Sequence, residues 1–402
     1  MTREEINDIC IASLTRSNFI LLELATGFGK TAMSIKMVNH LAETKYRGKH
    51  ISMLLLVAKT VHKQTWKDEF KKWGGIKVND ITIECYESLR KHENEHFDIV
   101  VMDEVHHVGS EARLYSLGTL SFDYAIGLSA TIPIKLKHYL EEIYQAEVIS
   151  CNVTEAIESD VLPEPRIILY PLQLDRVKPT EVIEINPKAR GKVHHGTYDK
   201  LWSYKKMKVH ALITCTQRQR VNEYNGQILF DKRLYATTRG AFARHRWLFD
   251  CGERIKYLAN LKNDVVKDIL QVLDDKRTIT FCKTIEQAEC LGKYAIHSKN
   301  PDADDIYHRF NAREINHITS VNILNENANL VDCKYTIFAN YSALESIMPQ
   351  RIGRSLRHKS PVIIMPYYEV TREEEIVNEM LEGFNKDCIV KVHSLGELKN
   401  YL

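Results

Sequence analysis

The heptapeptide ATGFGKT at residues 25–31 directly follows the apolar run FILLEL and constrains this chain most strongly. A buried strand that stops at a glycine-rich turn and continues as a helix aims several backbone N–H groups at one point, where they bind phosphate. Gly27 and Gly29 let the backbone curl without a clashing Cβ atom. Lys30 can reach the β and γ phosphate oxygens, and the Thr31 hydroxyl can bind Mg²⁺. We call residues 25–31 the phosphate loop and expect it to bind a nucleotide.

The bulk composition narrows the class of protein. A chain of 402 residues suggests two or three domains. No stretch approaches the roughly 18 to 20 uncharged apolar residues of a membrane span, and the first residues do not resemble a signal peptide. Nine cysteines without a CxxC pair indicate reduced thiols rather than a zinc site or a disulfide framework. We therefore expect a protein of the cytosol.

The distribution of apolar runs predicts the fold class. Short β-rich runs alternate with helix-length polar segments in residues 1–150 and again in residues 257–402, which is typical of βα units with buried parallel sheets. Residues 151–256 lack this rhythm, and their first part contains Pro163, Pro165 and Pro171. The sequence therefore predicts an α/β protein with two parallel-sheet domains in tandem, joined by an extended crossover linker and an insertion.

Two further signals follow predicted strands of the first domain. Asp103 and Glu104 form an acidic pair behind an apolar run, which suits a nucleotide hydrolase in which one carboxylate binds Mg²⁺ and the other orients water. An acidic loop without such a role is the alternative. Ser129 and Thr131, in GLSATIP, could couple the acidic pair to the neighbouring domain. The adjacent histidines 106 and 107 lack a second ligand pair at zinc spacing, so packing or sensing of the nucleotide is favoured over a metal.

The middle of the chain carries a strong positive charge, although the net charge is only +2. Residues 186–256 contain 16 lysines and arginines against five acidic residues, interleaved with tyrosine, tryptophan and phenylalanine. Cationic side chains neutralise phosphates and aromatic rings stack on bases, so this segment predicts contact with nucleic acid. A helical insertion with a solvated basic face is the alternative.

The second domain has no phosphate loop of its own but contains QRIGRSLR at residues 350–357. Arg354 and Arg357 are three residues apart, so in a helix they share a face and could reach a γ-phosphate presented by the first domain. Solvated helix arginines are the alternative interpretation. If the first interpretation holds, the nucleotide lies in a cleft between the two domains.

Taken in order, the segments ATGFGKT, LLVAKT, DEVHH, LSATIP, TFCKT, SVNILNENANL and QRIGRSLR resemble the motifs of superfamily 2 helicases and translocases of the DExH type. The similarity is greatest to compact phage and bacterial DNA helicases. It implies two RecA-like domains that bind ATP and Mg²⁺ in the cleft and nucleic acid across their top, in a bacterial or phage-infected cytoplasm.

The resemblance also assigns roles to individual residues. It implies catalysis by Glu104, Gln350, Arg354 and Arg357. Binding of the nucleotide would fall to Thr26, Gly27, Gly29, Lys30, Thr31 and Asp103, with Mg²⁺ at Thr31 and Asp103. Coupling between the domains would involve Ser129, Thr131 and Glu326. Contacts with the nucleic-acid strand would come from Lys59, Thr60, Ser88, Lys283, Thr284 and Ser320.

The sequence thus predicts an ATP-dependent nucleic-acid motor, with DNA favoured over RNA and with no membrane partner. Two alternatives stay open at this point. One is an RNA helicase of the same fold, and the other is an ATP-gated clamp or scaffold that holds nucleic acid without travelling along it.

Overall fold

A computed structural model describes residues 1–321, 324, 330–342, 351–353 and 355–402. The roles predicted for Glu326, Gln350 and Arg354 concern positions outside the described residues.

The first domain is a six-stranded parallel sheet in the order β3-β2-β4-β5-β1-β6. Its central strands are apolar on both faces because helices cover both. Leu22 in β1 faces α1, α2 and α3, whereas Leu21 faces α4 and α5. The strands are β1 (Phe19–Leu24), β2 (Ser52–Val57), β3 (Asp80–Cys85), β4 (His96–Asp103), β5 (Ser121–Ser129) and β6 (Glu147–Cys151). The helices are α1 (Arg3–Ser13), α2 (Lys30–Thr44), α3 (Thr60–Lys72), α4 (Glu111–Thr119), α5 (Ile134–Tyr144) and α6 (Val153–Glu158).

The second domain is a seven-stranded sheet, also parallel throughout, in the order β12-β13-β11-β14-β15-β7-β16. Its strands are β7 (Arg166–Leu172), β11 (Thr278–Phe281), β12 (Ala295–Ile296), β13 (His317–Ser320), β14 (Tyr335–Phe338), β15 (Val362–Tyr368) and β16 (Ile389–Lys391). The helices described in it are α10 (Asn263–Leu273), α11 (Ile285–Leu291), α12 (Ala303–Asn311), α13 (Arg372–Leu381) and α14 (Leu395–Lys399). The two parallel α/β sheets in tandem confirm the predicted fold class.

Strand β7 differs from the sequence interpretation, which placed it in an extended crossover between the domains. It lies between β15 and β16 of the second sheet, and its residues pair with β15 along their whole length. Burial of Ile167 and Ile168 explains the position, because only a strand inside a covered sheet hides both of these alternating side chains. The chain thus enters the second domain at β7, before the basic segment begins.

The basic segment forms a unit inserted between β7 and α10. A small sheet in the order β8-β10-β9 is followed by two long antiparallel helices, which we call the hairpin. The elements are β8 (Glu181–Ile185), β9 (His194–Thr197), α7 (Leu201–Met207), β10 (Ala211–Cys215), α8 (Gln217–Thr238) and α9 (Ala241–Leu261). The base of the hairpin packs on the second domain, where Val221 and Leu258 form a buried cluster with Leu174 and Tyr368.

The structure also shows the state of the cysteines and the character of the helices. The nine cysteines are all free thiols, as expected. No helix in the described part of the chain is long and apolar enough to cross a bilayer.

Candidate functional site

The phosphate loop joins β1 to α2 in the way that the sequence pattern predicts. Gly27 and Gly29 have φ angles of +91° and +108°, a left-handed backbone that residues with a Cβ atom rarely adopt. Gly29 caps α2, which begins at Lys30. The Lys30 ammonium group donates a hydrogen bond of 2.9 Å to the Leu24 carbonyl oxygen. The loop therefore presents the positive N-terminus of α2 and one lysine to the same region.

The acidic pair lies at the carboxyl end of β4, the neighbour of β5, which itself pairs with β1. Both residues are only 5% exposed. Trp66 Nε1 donates a hydrogen bond of 2.8 Å to Asp103 Oδ2, which fixes that carboxylate. Glu104 has a left-handed backbone with φ of 54°, a conformation that costs about 1–2 kcal/mol in a residue with a side chain. This strained turn lets Asp103 and Glu104, although adjacent, both line one cavity.

Polar neighbours fix the orientation of Glu104. The Ser129 hydroxyl lies 3.3 Å from Glu104 Oε2 and 2.7 Å from the Thr131 carbonyl oxygen, and either oxygen can accept its single hydrogen. His106 Nδ1 lies 3.4 Å from the same Glu104 oxygen and 3.0 Å from Ser129 Oγ. The residues predicted to couple the domains, Ser129 and Thr131, are thus joined to the acidic pair by a short hydrogen-bond chain. Within the described part of the chain, no third ligand completes a metal cluster with His106 and His107.

A cavity of about 730 Å³ opens between the two domains. This volume lies within the ordinary range for small-molecule and cofactor sites. The first domain lines it with the phosphate loop, the acidic pair and α3, and the second lines it with residues 356–359. Thr31 and Asp103 both lie on this wall and offer a hydroxyl and a carboxylate, the hard oxygen ligands that Mg²⁺ prefers. The donor set therefore fits a magnesium ion.

The arginines of QRIGRSLR have different surroundings. Arg357 lines the cavity, and its pKa is lowered because the walls of the cleft partly desolvate the guanidinium. Arg351 is fully buried over the ring of Phe281 and donates to Asn340 Oδ1 at 3.2 Å. Arg351 therefore lies in the core of the second domain, and this burial lowers its pKa to about 10. Of the predicted finger pair, Arg357 is the member that the structure describes in the cleft.

The two domains touch at the phosphate loop itself. A Cβ atom added at Gly353 would lie 2.5 Å from Thr26 Cβ and 2.9 Å from the Thr26 carbonyl oxygen. Only glycine permits so close an approach. The second domain is therefore seated directly against the loop that is predicted to bind phosphate.

The residues predicted to contact the nucleic-acid strand follow strands at the same edge of each sheet. Lys59 and Thr60 are exposed behind β2, and Ser88 is half-buried in a 3₁₀ turn behind β3. Lys283 follows β11, and burial and the nearby Arg351 lower its pKa. The remaining two are Thr284 and Ser320. The Thr284 hydroxyl caps α11, and the Ser320 side chain is fully buried at the end of β13, which argues against a direct contact by Ser320.

Sequence reasoning missed two residues beside the phosphate loop. Arg3 Nη2 donates to the carbonyl oxygens of Gly27 and Val161 at 3.2 and 3.3 Å, and Arg3 Nε donates to that of Phe28 at 3.2 Å. Trp66 is the second, through its bond to the acidic pair. Neither stands in a recognisable motif, and an arginine at the start of a helix or a tryptophan within one is usually a surface or core residue. Only their hydrogen bonds to the loop and to the acidic pair identify them.

Two family models match separate parts of this chain. Residues 2–134 match the family model described as "Type III restriction enzyme, res subunit", and residues 261–359 match "Helicase conserved C-terminal domain". The DNA 3'-5' translocase XPB2 of Sulfurisphaera tokodaii is 21% identical over 361 residues, which are 84% of this chain and 75% of that protein.

Solved structures share the fold at low sequence identity. Dbp5 of S. cerevisiae, bound to RNA and ADP BeF3, has a TM-score of 0.58 at 13% identity, covering 96% of this chain and 88% of its own. The ATP-dependent Type ISP restriction-modification enzyme LlaBIII bound to DNA has a TM-score of 0.56 at 12% identity, covering 100% of this chain and 32% of its own. The tandem sheets are therefore of the RecA-like type that the sequence resemblance implied.

Proposed function

This chain belongs to superfamily 2 of the helicases and translocases and is a nucleic-acid-dependent ATPase, and we propose that it moves along DNA rather than RNA. The preference for DNA is supported by the matching restriction-enzyme family and by the name of the translocase relative. The observation that carries the mechanism is the shared cavity, in which the phosphate loop and the acidic pair of one domain face Arg357 of the other.

The proposed chemistry assigns one task to each group around the cavity. Lys30 and the backbone of the phosphate loop bind the triphosphate, because the helix N-terminus and the ammonium group both favour negative charge. Glu104 orients and deprotonates the attacking water, with its carboxylate held by Ser129 and His106. Arg357 stabilises the charge that develops on the transferred phosphoryl group. Thr31 and Asp103 would hold Mg²⁺, which neutralises phosphate charge when bound.

Movement would follow from the same arrangement. Closure of the cleft around ATP brings Arg357 to the phosphates, and hydrolysis allows the cleft to reopen. The strand contacts proposed at Lys59, Thr60, Ser88 and Lys283 lie on both domains. Opening and closing of the cleft therefore change the distance between the strand contacts of one domain and those of the other.

Two substitutions test the assigned roles. We expect Lys30→Ala to lose nucleotide binding or hydrolysis, because no other lysine of the loop replaces its charge. Glu104→Gln should still bind ATP but turn over about 10²–10⁴ times more slowly, since the amide cannot accept a proton. The measurements are ATP binding and steady-state hydrolysis with saturating nucleic acid. Hydrolysis at the wild-type rate by either variant would contradict the role proposed for that residue.

A substrate panel separates DNA translocation from the alternatives. Hydrolysis stimulated by DNA, together with displacement of a third strand from a triplex, supports the motor on DNA. Stimulation by RNA alone would identify an RNA helicase of the same fold. Hydrolysis on DNA without displacement of any strand would instead identify an ATP-gated clamp.

A further inference from the structure

The far half of the hairpin has an unusual charge distribution. Residues 232–249, at the end of α8, the turn and the start of α9, contain five lysines and arginines and no aspartate or glutamate. At the base of the hairpin, Arg218 donates to the Val370 carbonyl oxygen of the second domain at 2.8 Å, and Arg254 of α9 donates to Asn225 Oδ1 of α8 at 2.6 Å. The positive charge is therefore concentrated on the part that is furthest from the second domain.

Three exposed phenylalanines lie within or next to this part of the hairpin. Phe242 is 73% exposed, and Phe230 and Phe249 are each 57% exposed. Phe242 and Phe249 are seven residues apart on α9, so they share one face of that helix. Arg246 lies between them and places its guanidinium 5.9 Å from the centre of the Phe242 ring. We call Phe230, Phe242 and Phe249 the aromatic face.

The helices beneath the aromatic face are locked together. Arg246 Nη2 lies 3.0 Å from Asp231 Oδ1, and Asp231 is fully buried between the helices next to Phe230. The rings of Tyr235 and Trp247 stack across the hairpin with centroids 6.0 Å apart. The two helices therefore have their own packed contacts, and the three phenylalanines are not needed to hold them together.

A surface that combines exposed aromatic rings with lysines and arginines suits one class of ligand. Lysine and arginine attract the phosphate backbone of any nucleic acid, whereas aromatic rings bind only bases whose faces are accessible. The bases of a duplex are already stacked on one another, so rings on a helix surface cannot reach their faces. An unpaired strand offers both the charge and the open base faces.

We propose that the aromatic face is a second nucleic-acid contact, on which unpaired bases stack beside the strand held by the two RecA-like domains. This inference rests on the proposed function only in that the ligand is nucleic acid. It assigns the inserted unit to the recognition of single-stranded segments, for example the tail at the end of a duplex. Stacking on this face needs no ATP, because no residue of α8 or α9 lines the cleft cavity.

The test is nucleotide-free binding of the full chain to three fluorescent oligonucleotides: a single strand, a blunt duplex and a duplex with a single-stranded tail. The triple variant Phe230→Ala, Phe242→Ala, Phe249→Ala should bind the single strand and the tailed duplex at least about tenfold more weakly, since each lost stack removes a base contact. Its affinity for the blunt duplex should change less than about twofold. The matched control is Leu229→Ala, Leu248→Ala, which removes exposed apolar side chains of the same hairpin (48% and 53% exposed) and should leave all three affinities unchanged.

Salt titration separates stacking from charge. The triple phenylalanine variant should keep the wild-type dependence of affinity on salt, because it removes no cation. Arg239→Gln with Arg244→Gln should reduce the slope of log affinity against log salt by about 0.7 for each single-strand phosphate contact that is lost.

Three outcomes would overturn the proposal. They are wild-type affinity of the triple variant for the single strand, an equal loss on blunt duplex and single strand, and an equal loss in the leucine control. The first would point to a protein partner for the aromatic face. Hydrolysis measured on the same preparations keeps the two hypotheses apart, because a chain that binds unpaired strands through this face but shows no nucleic-acid-stimulated ATPase would refute the proposed function alone.

Discussion

Substitution of Gly353 by alanine tests whether the contact between the domains at the phosphate loop belongs to the catalytic cycle. The added Cβ atom would lie 2.5 Å from Thr26 Cβ, whereas carbon atoms in contact are about 3.5–4.0 Å apart. The second domain must therefore withdraw by about 1 Å at this point. A misplacement of about 1 Å can cost about 10²-fold in rate, which corresponds to about 2.7 kcal/mol of barrier.

The same substitution should not weaken the fold of the second domain. Residues 351–353 are helical, and the backbone of Gly353 is not left-handed, so alanine fits the local conformation. Alanine in place of a helical glycine favours the helix by about 1 kcal/mol. We therefore expect Gly353→Ala to have the wild-type thermal stability or a higher one, but to hydrolyse ATP about 10- to 100-fold more slowly at saturating nucleic acid.

Gly226→Ala is the matched control, since Gly226 lies within α8 and an added Cβ meets no atom within 4 Å. It should show the same gain in helix stability with a normal hydrolysis rate. Steady-state hydrolysis and thermal unfolding of the two variants decide the question. A Gly353→Ala variant that is both stable and fully active would refute the reasoning, because the domains would then turn over ATP without this approach.

Three further predictions concern stability. Trp66→Phe removes the N–H donor to Asp103 and should lower the free energy of unfolding by about 1–3 kcal/mol in urea denaturation; an unchanged midpoint would show that the bond contributes nothing. Burial and the neighbouring Asp231 raise the pKa of Asp250 to about 6, so its contribution to stability is present below about pH 4 and is lost as the pH rises through 6. Asp250→Asn should therefore stabilise the protein by about 1 kcal/mol above pH 6 and not at pH 4, allowing for solvent screening. Burial lowers the pKa of His317 to about 4. The contribution of His317 to stability is therefore present above about pH 6.5 and is lost as the pH falls through 4. In His317→Gln the midpoint of urea denaturation should vary less with pH over this range than in the wild-type protein.

The extent to which the sequence predicted the structure depends on the range of the interactions involved. The phosphate loop and the acidic pair could be located because each follows an apolar strand, and parallel strands bring their carboxyl ends to one edge. Strand β7 could not, since its pairing partner β15 lies nearly 200 residues further along the chain. Local composition around three prolines favoured a linker instead.

The arginines of QRIGRSLR also show that local sequence does not determine which residues a side chain packs against. Arg351 and Arg357 occur in one short motif, yet one is in the core over Phe281 and the other lines the cavity. Spacing defines the face of a helix but not what packs against it. For the same reason Arg3, which holds two carbonyl oxygens of the phosphate loop, could only be recognised from the structure.

The attachment of the hairpin to the second domain makes it a lever arm. Its base is fixed by the bond from Arg218 to Val370 and by the buried ion pair between Lys262, directly behind α9, and Glu373 of α13. A helix of 22 residues is about 33 Å long. A swing of about 10° at the ATP cleft would therefore displace the outer end by about 6 Å, close to two steps along a nucleotide chain with a rise of about 3.4 Å. A small rotation of the second domain at the nucleotide site would in this way become a displacement of several ångströms at the outer end of the hairpin.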